Sequence, residues 1–358
     1  MIKMRINRVK KELEKKELDS FVVYNPINVL YLTNFLTQSF ARLLLTKDES
    51  SILLVPELEF EEARSIVNNF QVEKITAEKS ALKWITEILE EFNSRNCGIE
   101  EQYITKKDFD DLRKKNSNLE FIDAGKILDD LRAVKSEGEL KKLRKSAEIA
   151  DRGMQKAIES IEPGKKEIDI AAIAEYEMRK NGSEPIAFDT IVASGPRSAF
   201  PHAKSTENKI EDGDFVIIDL GARYAGYTSD TSRTIIVGKP SEKQRAIYHC
   251  VLDAQLKAES KCSSQIKASE LDSIAREAIK GAQYGKYFNH SLGHGVGLEV
   301  HENPTISPKN NDQLKVNNVI TIEPGIYIPQ LGGVRIEDTV IVKRDKCEIL
   351  NKTHKLEI

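Results

Sequence analysis

Apolar positions recur along this chain with two periods, and the switch between them lays out its elements. Residues 3–17 carry apolar side chains one helical turn apart and predict a helix. Ser20-Phe-Val-Val-Tyr24, Leu43-Leu-Leu45 and Ser51-Ile-Leu-Leu-Val55 are short apolar runs that predict buried strands. Helical patterns follow from Pro56 and over 81–92, where Trp84 shares the apolar face with Ile88 and is expected in the core. This alternation predicts an α/β domain with a mixed sheet over residues 1–125, then a short helical linker over 126–135.

From residue 136 the pattern changes. Ser136-Glu-Gly-Glu139 is a capping box opening a long helix. Its apolar stripe, Leu140, Leu143, Ala147, Ala150, Met154 and Ala157, should lie on a sheet until Pro163-Gly164 ends it. A second helix is expected over 168–180, then a strand over 188–192 and a hairpin. The order then repeats. Ser241-Glu-Lys-Gln244 opens a helix, Ser269 another, and 290–300, 319–328 and 334–342 supply strands. Residues 136–358 therefore read as one α+β domain of two similar halves, with their hairpins facing across a pseudo-twofold axis.

Those hairpins carry the chemistry. Folding Phe215–Asp230 at Tyr224-Ala225 sets Asp219 opposite Asp230, and folding 322–338 near Gln330 sets Glu323 opposite Glu337. Opposed like charges destabilise a sheet, and buried charges must be paired or bound to metal. Two such pairs point to a cation site. Between the hairpins, Gly293-His294-Gly-Val-Gly297 lets backbone approach closely, giving His294 room to reach a metal. Four carboxylates and an imidazole are too oxygen-rich for a tetrahedral structural zinc. They suit two divalent ions of the Mn²⁺, Co²⁺ or Fe²⁺ kind, with Zn²⁺ also accommodated, and such pairs activate a shared water.

The remaining composition narrows the partners. The 358 residues carry a net charge of −3 with both signs interspersed, which gives no basic face for nucleic acid. Cys97, Cys250, Cys262 and Cys347 are widely spaced and fit reduced thiols in the cytoplasm. No apolar run approaches the roughly 20 residues of a membrane span, and the charged N-terminus lacks the core of a signal peptide.

Asp219-Leu-Gly, Ser229-Asp-Thr-Ser-Arg-Thr234, Gly293–Glu302, Ile322-Glu-Pro-Gly325 and Gly333-Val-Arg-Ile-Glu-Asp338 closely resemble the pita-bread metallopeptidases. Asn25–Phe35 resembles the start of the creatinase-type N-terminal domain, so the likeness spans nearly the whole chain. The resemblance implies that Asp219 holds one ion, that Asp230 and Glu337 bridge two, and that His294 and Glu323 hold the second. Glu323 doubles as proton shuttle. On the same resemblance His202 and His301 would flank the scissile carbonyl, and Phe188, Val300, Arg335 and His290 are the expected substrate-binding set. It also implies a homodimer acting on small peptides, as an Xaa-Pro dipeptidase or, alternatively, an aminopeptidase P. A non-catalytic binding protein on this fold would be expected to have lost ligands. Some prolidases carry an arginine where this chain has Thr305, so the grip on the substrate carboxylate is expected from Arg335 or from the N-terminal domain of a partner subunit.

Overall fold

The structure, a computed structural model, describes residues 2–47 and 51–356 and divides into two compact units, one ending at Arg132 and the other beginning at Ala133. In the first, helix α1 (Ile2–Lys15) leads into strand β1 (Ser20–Val23), then α2 (Pro26–Thr33), β2 (Arg42–Thr46), β3 (Ile52–Pro56), α3 (Phe60–Ile66), β4 (Gln71–Ile75), α4 (Ala81–Glu91), β5 (Asn96–Ile99), α5 (Lys106–Lys115), β6 (Glu120–Asp123) and α6 (Gly125–Ala133). The strands form one sheet in the order β4-β3-β2-β1-β5-β6. It is mixed: β1 and β3 each run antiparallel to β2, while β5 joins β1 in parallel. Every residue of β1 is buried, as a strand covered on both faces requires. Trp84 sits at the rim of this core, half-buried, with its indole N–H donated to the Lys74 carbonyl at 2.9 Å.

The second unit shows the twofold repeat. Helices α7 (Glu137–Ser160) and α8 (Glu167–Lys180) precede β7 (Ile191–Ser194), β8 (Phe215–Leu220), β9 (Arg223–Tyr224), β10 (Tyr227–Thr228) and β11 (Thr231–Ile236). Helices α9 (Glu242–Lys261) and α10 (Ala268–Gly281) then precede β12 (Gly293–Gly295), β13 (Glu302–Ile306), β14 (Val319–Ile322), β15 (Gly325–Ile328), β16 (Gly332–Arg335), β17 (Asp338–Val342) and β18 (Cys347–Ile349). The Ser136 N–H donates to the Glu139 carboxylate at 2.9 Å, as the capping box predicts. Each helix pair buries its stripe on its own half: Ala150, Met154 and Ile170 against Val216 and Ile218, and Tyr248, Val251 and Leu271 with Ile320 and Val340.

Strand lengths depart from expectation. The strand predicted over 188–192 begins only at Ile191, and that over 290–300 shrinks to Gly293–Gly295. A side chain at Gly293 would collide with the Thr321 carbonyl, and one at Gly295 with that of Asn303. The glycines thus serve close backbone packing rather than a long regular strand.

Candidate metal centre

Asp219 stands next to last in β8, and its cross-strand partner is Ser232 rather than Asp230. The turn falls on Ala225 and Gly226, with φ of 49° and 81°, one residue later than spacing alone predicts. Register therefore slips by two, which preserves the face. Asp230 becomes a diagonal neighbour of Asp219. In the second hairpin the expected register holds, with Ile322 opposite Asp338 and Gly325 opposite Arg335. Glu323 and Glu337 occupy the gap between these pairs, where Pro324 offers no N–H to continue the ladder.

An isolated bridge between Ser232 and Glu337 brings the hairpins together. Side chains stitch the same seam. The Thr231 hydroxyl and Arg233 Nη1 donate to the Glu337 carbonyl at 3.1 and 2.6 Å, and the Thr339 hydroxyl donates to that of Asp230 at 2.7 Å. No pattern in the sequence assigns Thr231, Arg233 or Thr339 a role. The run of hydroxyl side chains in Thr228–Thr234, inside a buried strand region, is the signal that could have shown the seam.

Across the seam, ligand atoms of Asp230, His294 and Glu337 lie within 4.8 Å of one another. His294 Nε2 is 3.2 Å from Glu323 Oε1 and 3.6 Å from Asp230 Oδ2. Its Nδ1 lies 3.1 Å from the Gly295 carbonyl; donation of a proton there leaves the Nε2 lone pair for a cation. Glu337 Oε2 accepts from the Ser232 hydroxyl at 2.7 Å, but Glu337 Oε1 and Asp219 Oδ1 are buried without a hydrogen-bond partner. An orphaned buried acceptor is costly, and a bound cation would satisfy both. The donor set fits divalent metal.

The electrostatics agree. Burial, then the charge of Glu337, drives the Asp230 carboxyl well above its usual range. Burial followed by the charges of Glu323 and Asp219 does the same to Glu337. Glu323 behaves oppositely. Burial works to raise it, yet a hydrogen bond from His294 in its protonated form and the positive groups nearby hold it at about 2.

Arg335 and His290 both have partners within the protein. Arg335 is buried, with Nη2 on Asp219 Oδ2 at 2.6 Å, Nε on the Ser232 hydroxyl at 2.9 Å, and Nη1 on the Tyr327 hydroxyl at 2.9 Å and the Pro201 carbonyl at 3.2 Å. Its carboxylate partner is thus Asp219. His290 places Nδ1 on the Ser291 carbonyl at 2.8 Å and Nε2 on the Tyr327 hydroxyl at 3.1 Å, so both ring nitrogens are engaged.

His301 does lie at the centre. Its exposed ring meets that of His294 edge-on with centroids 4.2 Å apart, in the bend before β13 rather than at a strand end. Burial, then the charge of His294, lowers its pKa, and His202 is close enough to add to the effect. His202 is exposed in the loop between β7 and β8. Val300 and Phe188 are half-buried, and the Phe188 ring lies against Gly221.

Residues 141–344 match the model of metallopeptidase family M24, and residues 5–134 that of the creatinase/prolidase N-terminal domain. The chain belongs to metallopeptidase family M24. Within that family it is 44% identical to an Xaa-Pro dipeptidase of Pyrococcus horikoshii over 98% of this chain and 97% of the relative. The crystal structure of the Pyrococcus horikoshii prolidase superposes with a TM-score of 0.93 at 44% identity, covering 99% of this chain and all of that one. The crystal structure of an X-Pro aminopeptidase from Thermotoga maritima is similar at 34% identity with a TM-score of 0.91, covering 98% of each chain. Among the described residues no helix is long and apolar enough to cross a membrane.

Proposed function

We infer that this M24 metallopeptidase hydrolyses Xaa-Pro dipeptides, using two divalent cations held by Asp219, Asp230, His294, Glu323 and Glu337. The observation that carries the reading is the convergence of carboxylates from both hairpins on His294, with two buried carboxylate oxygens left without donors. The 44% identity to Xaa-Pro dipeptidases along nearly the full chain supports the substrate class. Mn²⁺ or Co²⁺ suits this mixed oxygen and imidazole set. When bound, the cations polarise the scissile carbonyl and supply a nucleophile at neutral pH.

The chain's own residues do the rest. The Glu323 carboxylate accepts a proton and returns it to the leaving nitrogen. In an Xaa-Pro bond that nitrogen carries no hydrogen of its own, so recognition rests on the shape of the ring. Phe188, Val300 and His202 form the walls that would read it. His301, whose lowered pKa keeps its imidazole neutral, offers an N–H to the developing oxyanion, with His202 on the other side. Arg335 orients Asp219 instead of gripping the substrate.

Elemental analysis of reconstituted protein, paired with turnover of an Xaa-Pro dipeptide, tests the reading. Full activity is expected at two ions per chain and none after chelation. Full activity with fewer than two ions would refute the dinuclear centre.

A further inference from the structure

Glu167 is the first residue of α8 and is fully buried, yet it does little for its own helix. Its carboxylate accepts instead from the loop that carries His202. Before the histidine, the Ser194 N–H and hydroxyl bind Oε1 at 2.8 and 3.0 Å, and Arg197 Nε lies 3.2 Å from both oxygens. After it, the Thr206 N–H and hydroxyl bind Oε2 at 3.1 and 2.8 Å, and Asn208 Nδ2 reaches Oε1 at 3.4 Å. Arg197 then closes the loop on itself, its Nη2 donating to the Lys204 carbonyl at 2.6 Å. From the far side, the Gly333 N–H binds the Ser198 hydroxyl at 2.8 Å and Arg335 binds the Pro201 carbonyl. A loop of this length would otherwise sample many conformations, and ordering it costs conformational entropy at every residue.

We propose that Glu167 is the positioning residue for His202: one buried carboxylate gathers both arms of the loop and so fixes where the imidazole stands relative to the cation site. The inference rests on the reading that His202 contacts the substrate. An ion-paired acceptor with charge-assisted bonds to both arms sets the loop more rigidly than neutral contacts would. The carboxylate does not touch the reacting atoms, so it acts only through the histidine.

A double-mutant cycle on fully metallated protein decides the matter, using an Xaa-Pro dipeptide as the substrate. Glu167→Gln keeps the volume but turns one acceptor into a donor facing Thr206 or Arg197. It is expected to lower kcat about 10-fold, with KM within about 2-fold and cation content unchanged. Introduced into His202→Ala, the same change is expected to cost less than about 2-fold more, because the residue it positions is gone. Thr206→Val should reproduce a smaller kcat loss with the same non-additivity, while Thr206→Ser, which keeps the hydroxyl, should restore turnover. This second pair keeps the test open even where Glu167→Gln folds poorly. Additive losses in the cycle, or wild-type kcat in both Glu167→Gln and Thr206→Val, would overturn the inference alone. Wild-type kcat in His202→Ala would overturn the catalytic reading of His202 and this inference with it.

Discussion

Glu323 is set apart from the other carboxylates: where His294 is protonated, its Nε2–H donates to Glu323 and holds it ionised against burial, while Asp230 and Glu337 are driven toward protonation. As the proposed ligand and proton acceptor, it must give up neither role. Glu323→Gln keeps the shape but loses the charge and the basic oxygen, so turnover should fall by about 10²-fold or more with the circular dichroism spectrum unchanged. Wild-type turnover in that variant would move the shuttle elsewhere. His301 separates chemistry from metal binding in the opposite sense. Its ring touches that of His294 but supplies no donor to the clustered ligand atoms. His301→Ala should therefore lower kcat by about 10²–10³-fold, on the scale of a lost oxyanion donor, with the cation content held. Loss of metal in His301→Ala, measured by inductively coupled plasma mass spectrometry, would make it a ligand-supporting residue instead.

Among the elements, β17 does two jobs. Asp338, one residue past Glu337, anchors a buried charge network. Arg233 binds it at 2.7 Å and Lys355 at 2.8 Å, while Gln255 reaches it at 3.0 Å and Lys355 also reaches Glu259 at 3.2 Å. Burial, then the charge of Asp338, pushes Glu259 up to about 8. The folded state thus holds this proton more tightly than the unfolded chain does. Stability from it is fully present below the ordinary carboxylate pKa of about 4.5 and is lost as pH rises through about 8. Tm should fall between about pH 5 and 8, and Glu259→Gln should flatten that fall, each kcal/mol being worth about 2–4 °C. Scanning fluorimetry at saturating cation would reveal an unchanged slope if Glu259 were not the group responsible.

This network was not legible in the sequence, because it joins residues about a hundred positions apart through no local pattern. The helices and their stripes were legible, since the 3.6-residue period is a local property. The face shared by Asp219 and Asp230 was legible for a similar reason: parity survives a two-residue slip, even though the positive φ of Ala225 gave no advance sign. Side-chain direction was not legible in the motifs. Arg335 and His290 lie beside the right residues but point their nitrogens at Asp219, Tyr327 and backbone carbonyls.

For the whole molecule the open chemistry is the substrate's far end. With Arg335 engaged by Asp219 and Thr305 exposed on β13, the arginine expected to grip a proline carboxylate is accounted for within the protein. Xaa-Pro dipeptides should still be cleaved faster than Xaa-Pro-Yaa, with measurable turnover of the tripeptide. Thr305→Arg should sharpen the preference by adding a cation for the carboxylate. Faster hydrolysis of tripeptides in steady-state assays would make the chain an aminopeptidase, and an unchanged ratio in Thr305→Arg would place the length filter on another group. The seam between the hairpins has one further consequence. A cut in the connection between β11 and α9 would leave two of the proposed donors, Asp219 and Asp230, on one fragment and three, His294, Glu323 and Glu337, on the other. Neither fragment inherits a working share of the centre, so selection for the metal acts on the fit between the two halves, and a mutation in either half is judged by what it does to its counterpart.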